Sequence, residues 1–245
     1  MALTFDVLTS DDANGAVVLA MVTGGWRSRW VPPAQSEQRY RALLEAVFTV
    51  IAVRYGSSPE YTTPEIVPDV RRAVRYVRLN AARLGVDPSR LGVFGGSAGG
   101  HLSLLLSGAS DMGDPSAEDA VLRTGNRVAA VVPTFHRSTC GTDPANGNGR
   151  FPALSFEPSQ AHSYSPIANV SADDPPTLLI HGDADELVPV SNSYDMYAAL
   201  QEHGVTSKVI VIPDAGHGFR GDDAILASSA MVAWFTAHLG ATPTN

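Results

Sequence analysis

The chain has a single cysteine, Cys140, in 245 residues, which excludes an internal disulfide. It is also poor in basic charge: 17 Lys and Arg face 25 Asp and Glu, a formal net charge of −8. Nucleic acid and anionic membrane surfaces call for a basic face, so neither is an expected partner. No uninterrupted apolar run reaches about 18 residues, the length a membrane-spanning helix needs. The opening "MALTFDVLTSDDANG" lacks the basic start, apolar run and cleavage site of a targeting segment. A cytoplasmic location follows as the expectation, or a secreted one if a signal peptide has been removed. G-x-x-x-x-G-K-[ST] does not occur, and the spacing of the glycines around Ser97 fits no phosphate-binding motif, so a phosphate-cradling role there is a weak reading. No Cys/His or carboxylate grouping has ligand spacing, and the reading therefore includes neither metal nor cofactor.

What the chain does have is a composition of 44% hydrophobic and 17% charged residues, suited to one globular α/β domain over 1–245. Six apolar runs bounded by turn residues span Ala16 to Val22, Val47 to Val53, Leu91 to Gly95, Val128 to Pro133, Thr177 to His181 and Lys208 to Ile212. Their continuity predicts strands buried on both faces of a mostly parallel sheet. Between them, Ile66, Val70, Ala73, Val74, Val77, Ala81 and Leu84 recur at steps of three and four, predicting one amphipathic helix. Weaker patterns predict helices over Ser36 to Ala46, Ser191 to His203 and Asp222 to Leu239. The alternation implies a layered α/β sheet with helices on both faces. Two stretches rich in Gly, Pro, Ser and Asn, 111–127 and 134–174, read as irregular cap-like loops over the edge that carries the site.

One stretch concentrates chemistry. "RLGVFGGSAGGHL" places Gly95-Gly96-Ser97-Ala98-Gly99 between a strand and a helix, fitting the G-x-S-x-G nucleophile elbow. A serine hydroxyl is a weak nucleophile and needs a base, held in turn by an acid. Downstream loops that follow strands supply both. His217, between Gly216 and Gly218, is the expected base. Asp185 in "GDADELVP" is the expected acid; Asp183 and Asp214 read as turn formers and Glu186 as solvated. Gly24 and Gly25, with the N–H of Ala98, are the expected oxyanion donors, and Trp26 is expected to wall the acyl pocket. His181 reads as buried and structural, and His101 as pointing away from the pocket. His136, His162, His203 and His238 read as loop or surface residues.

From about Val17 to His217 these motifs resemble the α/β-hydrolase superfamily, in its esterase/lipase branch. Hormone-sensitive-lipase-like esterases and bacterial feruloyl and acetylxylan esterases are the members meant. The resemblance rests on "GGW", "RYGSSPEYTTPEIVPDVRRAVRYVR", "GVDPSRLGVFGGSAGGHL", "PPTLLIHGDADELVPV" and "GHGF". It implies a serine carboxylesterase with Ser97 as nucleophile, Asp185 in HGxxDxxVP as acid and His217 as base, acting through an acyl-enzyme. The implied substrate is a small-molecule or polymer-attached ester, and the enzyme a monomer or homodimer. Competing readings are an amidase or exopeptidase of prolyl-oligopeptidase type, and a non-catalytic binding module on the same fold. Two departures stand out. Val22 and Thr23 occupy positions where many relatives carry the His and Gly of H-G-G-G-W. Few residues precede the first strand, so the α/β-hydrolase sheet of six to seven strands is expected to be shortened at its N-terminus, with one edge strand near Thr4 to Leu8.

Overall fold

The computed structural model describes residues 3–140 and 150–240. Seven strands form one sheet in the order β1-β3-β2-β4-β5-β6-β7. They are β1 (Phe5–Leu8), β2 (Val17–Met21), β3 (Thr49–Val53), β4 (Leu91–Gly96), β5 (Ala130–Thr134), β6 (Thr177–Gly182) and β7 (Ser207–Ile212). Every apolar run named from the sequence overlaps one of them, with four of the strands reaching one residue beyond the run. β1 is the expected edge strand, paired antiparallel with β3 from Phe5 opposite Val53 to Leu8 opposite Val50. The remaining pairings are parallel. Parallel strands need covered faces, and the residues show why these runs do not alternate in polarity. Val17, Leu19 and Met21 of β2 point into one cluster, with Ile51 and Val53 of β3. Val18 and Ala20 point into the other, with Val50 and Ala52. At about 2 kcal/mol for each fully buried aliphatic side chain, both clusters hold the sheet.

The helices are α1 (Pro33–Glu45), α2 (Thr63–Leu79), α3 (Ala81–Leu84), α4 (Ala98–Gly108), α5 (Ser191–Glu202) and α6 (Gly221–Leu239). α2, α4 and α5 cover one face of the sheet, and α1 and α6 the other. α2 begins where the Glu65 carboxylate accepts the Thr62 N–H at 2.8 Å, a reciprocal cap that satisfies a free helix-end donor. The single helix expected over 66–84 is broken at Asn80. Its side-chain amide donates to the Tyr76 carbonyl at 2.9 Å and competes with helix continuation, so α3 is a separate turn closed by Gly85 at φ 67°.

The two irregular stretches lie at opposite edges of the sheet. Residues 111–127 join the end of α4 to the start of β5, so they do not cap the edge that carries Ser97, contrary to the sequence expectation. Three α2 arginines hold that stretch instead. Arg75 makes a two-oxygen ion pair with Asp111 at 2.6 and 2.8 Å, Arg72 meets Asp119 at 2.6 Å, and Arg78 donates to the Arg127 carbonyl. The second stretch does begin at the carboxyl end of β5, beside Ser97. It contains short 3-10 turns at Pro152–Leu154, Pro158–Gln160 and Pro166–Asn169, while 141–149 lie outside the described residues. No helix among the described residues is long and apolar enough to cross a membrane.

Candidate active site

Ser97 links β4 to α4 with φ 55° and ψ −120°, a backbone conformation costly for a residue with a side chain. The turn is possible because its flanks are bare. A Cβ on Gly95 would stand 2.5 Å from the Gly99 carbonyl carbon, so the strand and the first helical turn approach to backbone contact. Tertiary contacts hold the strained serine: its N–H donates to the Thr134 carbonyl at 2.9 Å, and its own carbonyl accepts the His101 N–H. The hydroxyl is thereby set at a helix N-terminus, where unpaired N–H groups favour negative charge.

The three residues expected to cooperate are brought together. His217 Nε2 lies 2.9 Å from Ser97 Oγ, and its Nδ1 lies 2.8 Å from Asp185 Oδ2. Asp185 is fully buried, yet every lone-pair direction is used. Oδ1 accepts the Leu187 and Val188 N–H groups, both at 2.9 Å, and Oδ2 faces His217 and, at 3.3 Å, His181 Nε2. A buried carboxylate held by this many donors is fixed in place. With Nδ1–H donated to it, the imidazole presents a lone pair on Nε2 to the serine hydroxyl.

Sequence reasoning placed the neighbours of this chain unevenly. Glu186 is exposed, and Asp214 is a turn residue at φ 58°. Asp183 does more than shape its own turn: its carboxylate accepts the Asp214 N–H at 2.7 Å and ties the acid loop to the histidine loop. His181 is buried, as expected. It also supports the acid, because its Nε2–H points at the Val188 carbonyl (2.9 Å) and Asp185, while Ser193 Oγ meets Nδ1 at 2.7 Å. Burial lowers its pKa, against the opposing pull of the Val188 carbonyl and Asp185, which suits the neutral form that this pattern requires.

On the histidine side of the site, one residue was missed and one misread. Phe135, at the end of β5, lays its ring edge-on to His217 with centroids 4.9 Å apart and meets Phe219 at 5.2 Å. Its position after Thr134 in an irregular stretch gave no sequence signal. His136 is not a surface residue: it is fully buried, neither ring nitrogen has a hydrogen-bond partner among the described residues, and its ring lies 5.9 Å from that of His181. Burial first, then the neighbouring histidines, holds its pKa well below the ordinary range. The other histidines follow the reading more closely, with His162 and His203 exposed and His238 half-buried on α6.

At the end of β2, Gly25 adopts φ 60° and turns the chain under the aromatic ring of Phe151. The N–H groups of Gly24, Gly25 and Ala98 donate to no protein acceptor among the described residues, which leaves them free for an oxyanion. Thr23 sets its methyl group against Gly99 of the elbow, and Val22 is buried in the core with its N–H on the Val53 carbonyl at 3.1 Å. The loop is therefore anchored by packing where a histidine brace is absent.

Trp26 does not wall an open pocket. Its φ of 59° turns the indole inward, where it is 3% exposed between Phe151 and His101, at 5.7 and 5.4 Å. His101 is buried beneath it, with Nε2 on the Tyr164 carbonyl at 2.9 Å, and burial pushes its pKa down to about 4. Cys140 Sγ meets the same carbonyl at 3.1 Å, and burial raises its pKa to about 12. Among the described residues, no three His, Cys, Asp or Glu side chains could hold a metal ion together.

Comparison with known proteins gives a consistent picture. Residues 6–200 match the model of the BD-FAE family. The chain is 30% identical to esterase LipQ of Mycobacterium tuberculosis, over 89% of its own length and 53% of the relative's. It is also 30% identical to the same organism's probable carboxylic ester hydrolase LipM, over 95% of this chain and 58% of that one. The chain thus spans little more than half of these curated relatives. Among solved structures, it superposes on the acetyl ester-xyloside bifunctional hydrolase of Caldicellulosiruptor lactoaceticus with a TM-score of 0.85 and 26% identity. That match covers 99% of this chain and 90% of the other.

Proposed function

The chain belongs to the BD-FAE family of feruloyl-type α/β-hydrolase esterases, and on that premise we propose that it is a serine carboxylesterase acting through an acyl-enzyme. The carrying observation is the unbroken hydrogen-bond chain from Ser97 Oγ through His217 to Asp185. Ser97 attacks the ester carbonyl while its proton passes to His217 Nε2. The new carbon–oxygen bond leaves charge on the carbonyl oxygen, where the N–H groups of Gly24, Gly25 and Ala98 receive it. His217, now an imidazolium stabilised by Asp185, returns the proton to the leaving alkoxide, and the acyl group stays on Ser97. Water then repeats both steps and frees the acid. No step calls for a cofactor. An ester of a small molecule or of a polymer fits this scheme, in keeping with relatives described as esterases.

The test is intact-mass spectrometry after exposure to a fluorophosphonate, run in parallel on Ser97→Ala and His217→Ala. The expected result is one adduct on the wild-type chain, mapped to Ser97 and absent from both variants. A folded wild-type protein that takes no adduct overturns the proposal and favours a non-catalytic module.

A further inference from the structure

Beside the Gly24–Gly25 turn lies a cavity of about 360 Å³ whose wall is basic. Arg27 and Arg29 enter it from the segment after the turn and Arg39 from α1, with Val22, Thr23, Gly24 and Val31 completing the lining. No carboxylate among the described residues lines it. Among the described residues none of these three guanidinium groups has a carboxylate partner, whereas Arg54, Arg72, Arg75 and Arg127 each have one. Acidic side chains are not scarce in a chain of net charge −8. Gathering three cations around a concavity without one of them sets up mutual repulsion that a bound anion would relieve.

The cavity also has a definite side. Val22 belongs to the same buried cluster as Ala215, with Phe219 packed against it, and these two residues flank His217. Arg39 rides on α1, which covers the face of the sheet shared with α6, the helix that follows the histidine loop. In ester cleavage the oxygen that the histidine must protonate is the leaving one, so the alcohol portion departs on the histidine's side.

We propose that this cavity binds an anionic group, a carboxylate or a phosphate, on the alcohol portion of the ester, making Arg27, Arg29 and Arg39 specificity determinants. The inference rests on the serine-esterase reading above. The planar guanidinium fork suits either anion, because both present paired oxygens.

The test compares kcat/KM for 3-carboxyphenyl acetate, 3-phosphonooxyphenyl acetate and the neutral 3-carbamoylphenyl acetate, with monophenyl succinate placing the charge on the acyl side instead. One or both leaving-group anions should be favoured over the neutral ester by about tenfold or more, an advantage that shrinks as salt is raised. Whichever is preferred identifies the anion. In the triple variant Arg27→Gln/Arg29→Gln/Arg39→Gln the charged-to-neutral ratio should fall to about one, while fluorophosphonate labelling of Ser97 reports that the elbow is intact. A ratio near one in the wild type, a ratio preserved in the variant, or a preference for monophenyl succinate overturns the anion site and leaves the esterase reading standing. Turnover of none of the esters, together with no fluorophosphonate adduct, overturns the esterase reading and this inference with it.

Discussion

At the carboxyl edge of the sheet, polar side chains converge on one hydroxyl; at the amino edge, they hold a loop in place. Asp185 spends its oxygens on two backbone N–H groups and on His217, so that one histidine nitrogen is left facing Ser97. Asp111 spends its oxygens on Arg75 and on the Gly113 N–H, partners that hold a loop and carry no reactive group. Both are well-satisfied carboxylates. The difference is whether the hydrogen-bond chain ends on a closed partner or on a group that can react. Arginine divides the same way: Arg72 and Arg75 on α2 are paired with carboxylates, while Arg27, Arg29 and Arg39 beside the Gly24–Gly25 turn have no carboxylate partner among the described residues.

The contrast predicts that substitutions at the two edges separate activity from stability. The largest effect belongs to Asp185→Asn, which keeps the shape but reverses the hydrogen bond to His217 Nδ1. Turnover of an activated ester should fall by about 10⁴-fold with the melting temperature nearly unchanged, read from stopped kinetics and calorimetry on one preparation. Gly95→Ala should damage both properties, since its methyl group would have to enter space filled by the Gly99 backbone. Loss of soluble folded protein, or a melting temperature lower by ten degrees or more, is expected; wild-type activity from this variant would break the account of the elbow. Arg75→Ala should do the reverse of Asp185→Asn. Breaking this charge-assisted pair, buried at Arg75 and half-exposed at Asp111, costs about 2 kcal/mol and lowers the melting temperature by roughly 4–8 °C, with kcat unmoved.

The last effect is a slope in pH. His101, His136 and His181 have folded-state pKa values depressed mainly by burial. Each takes up a proton on unfolding once the pH is below the ordinary histidine value of about 6.5. Their contribution to stability is therefore full above about pH 6.5 and is lost as the pH falls from there; for His101, whose folded-state value is about 4, the loss is about tenfold in the folding constant per pH unit across that window. Urea titrations at pH 7, 6 and 5 measure that slope, and His136→Phe should flatten it. An unchanged slope in the variant would mean that His136 is not buried in solution.

How much of this could be read from the chain follows from how local each signal is. The strands were legible because burial on both faces writes itself as a continuous apolar run, as in Val17 to Met21. The elbow was legible because backbone contact between Gly95 and Gly99 demands glycine whatever surrounds it. Asp185 and His217 stand in loops that directly follow strands, and strand order fixes where such loops end. Signals that depend on distant partners were not legible. Asn80 breaks a helix through its own side chain, although the apolar spacing continues across it. His136 sits in a loop-like sequence, and its burial comes from α4 and β6. Trp26 turns inward because of one positive φ, which no spacing reveals. The placement of 111–127 depends on the length of α4 carrying the chain back across the sheet.

Cys140 gives this chain a built-in clock. Its thiol is the only one present, it is buried, and burial keeps it protonated at any ordinary pH. It bonds the Tyr164 carbonyl, so a thiol reagent reaches it only when that contact parts. Its alkylation rate, divided by the rate of an unstructured thiol, therefore reads the fraction of time that this part of the 134–174 stretch stands open. An ester analogue that seats beneath the stretch should slow the clock, and the factor by which it slows is the coupling between binding and opening.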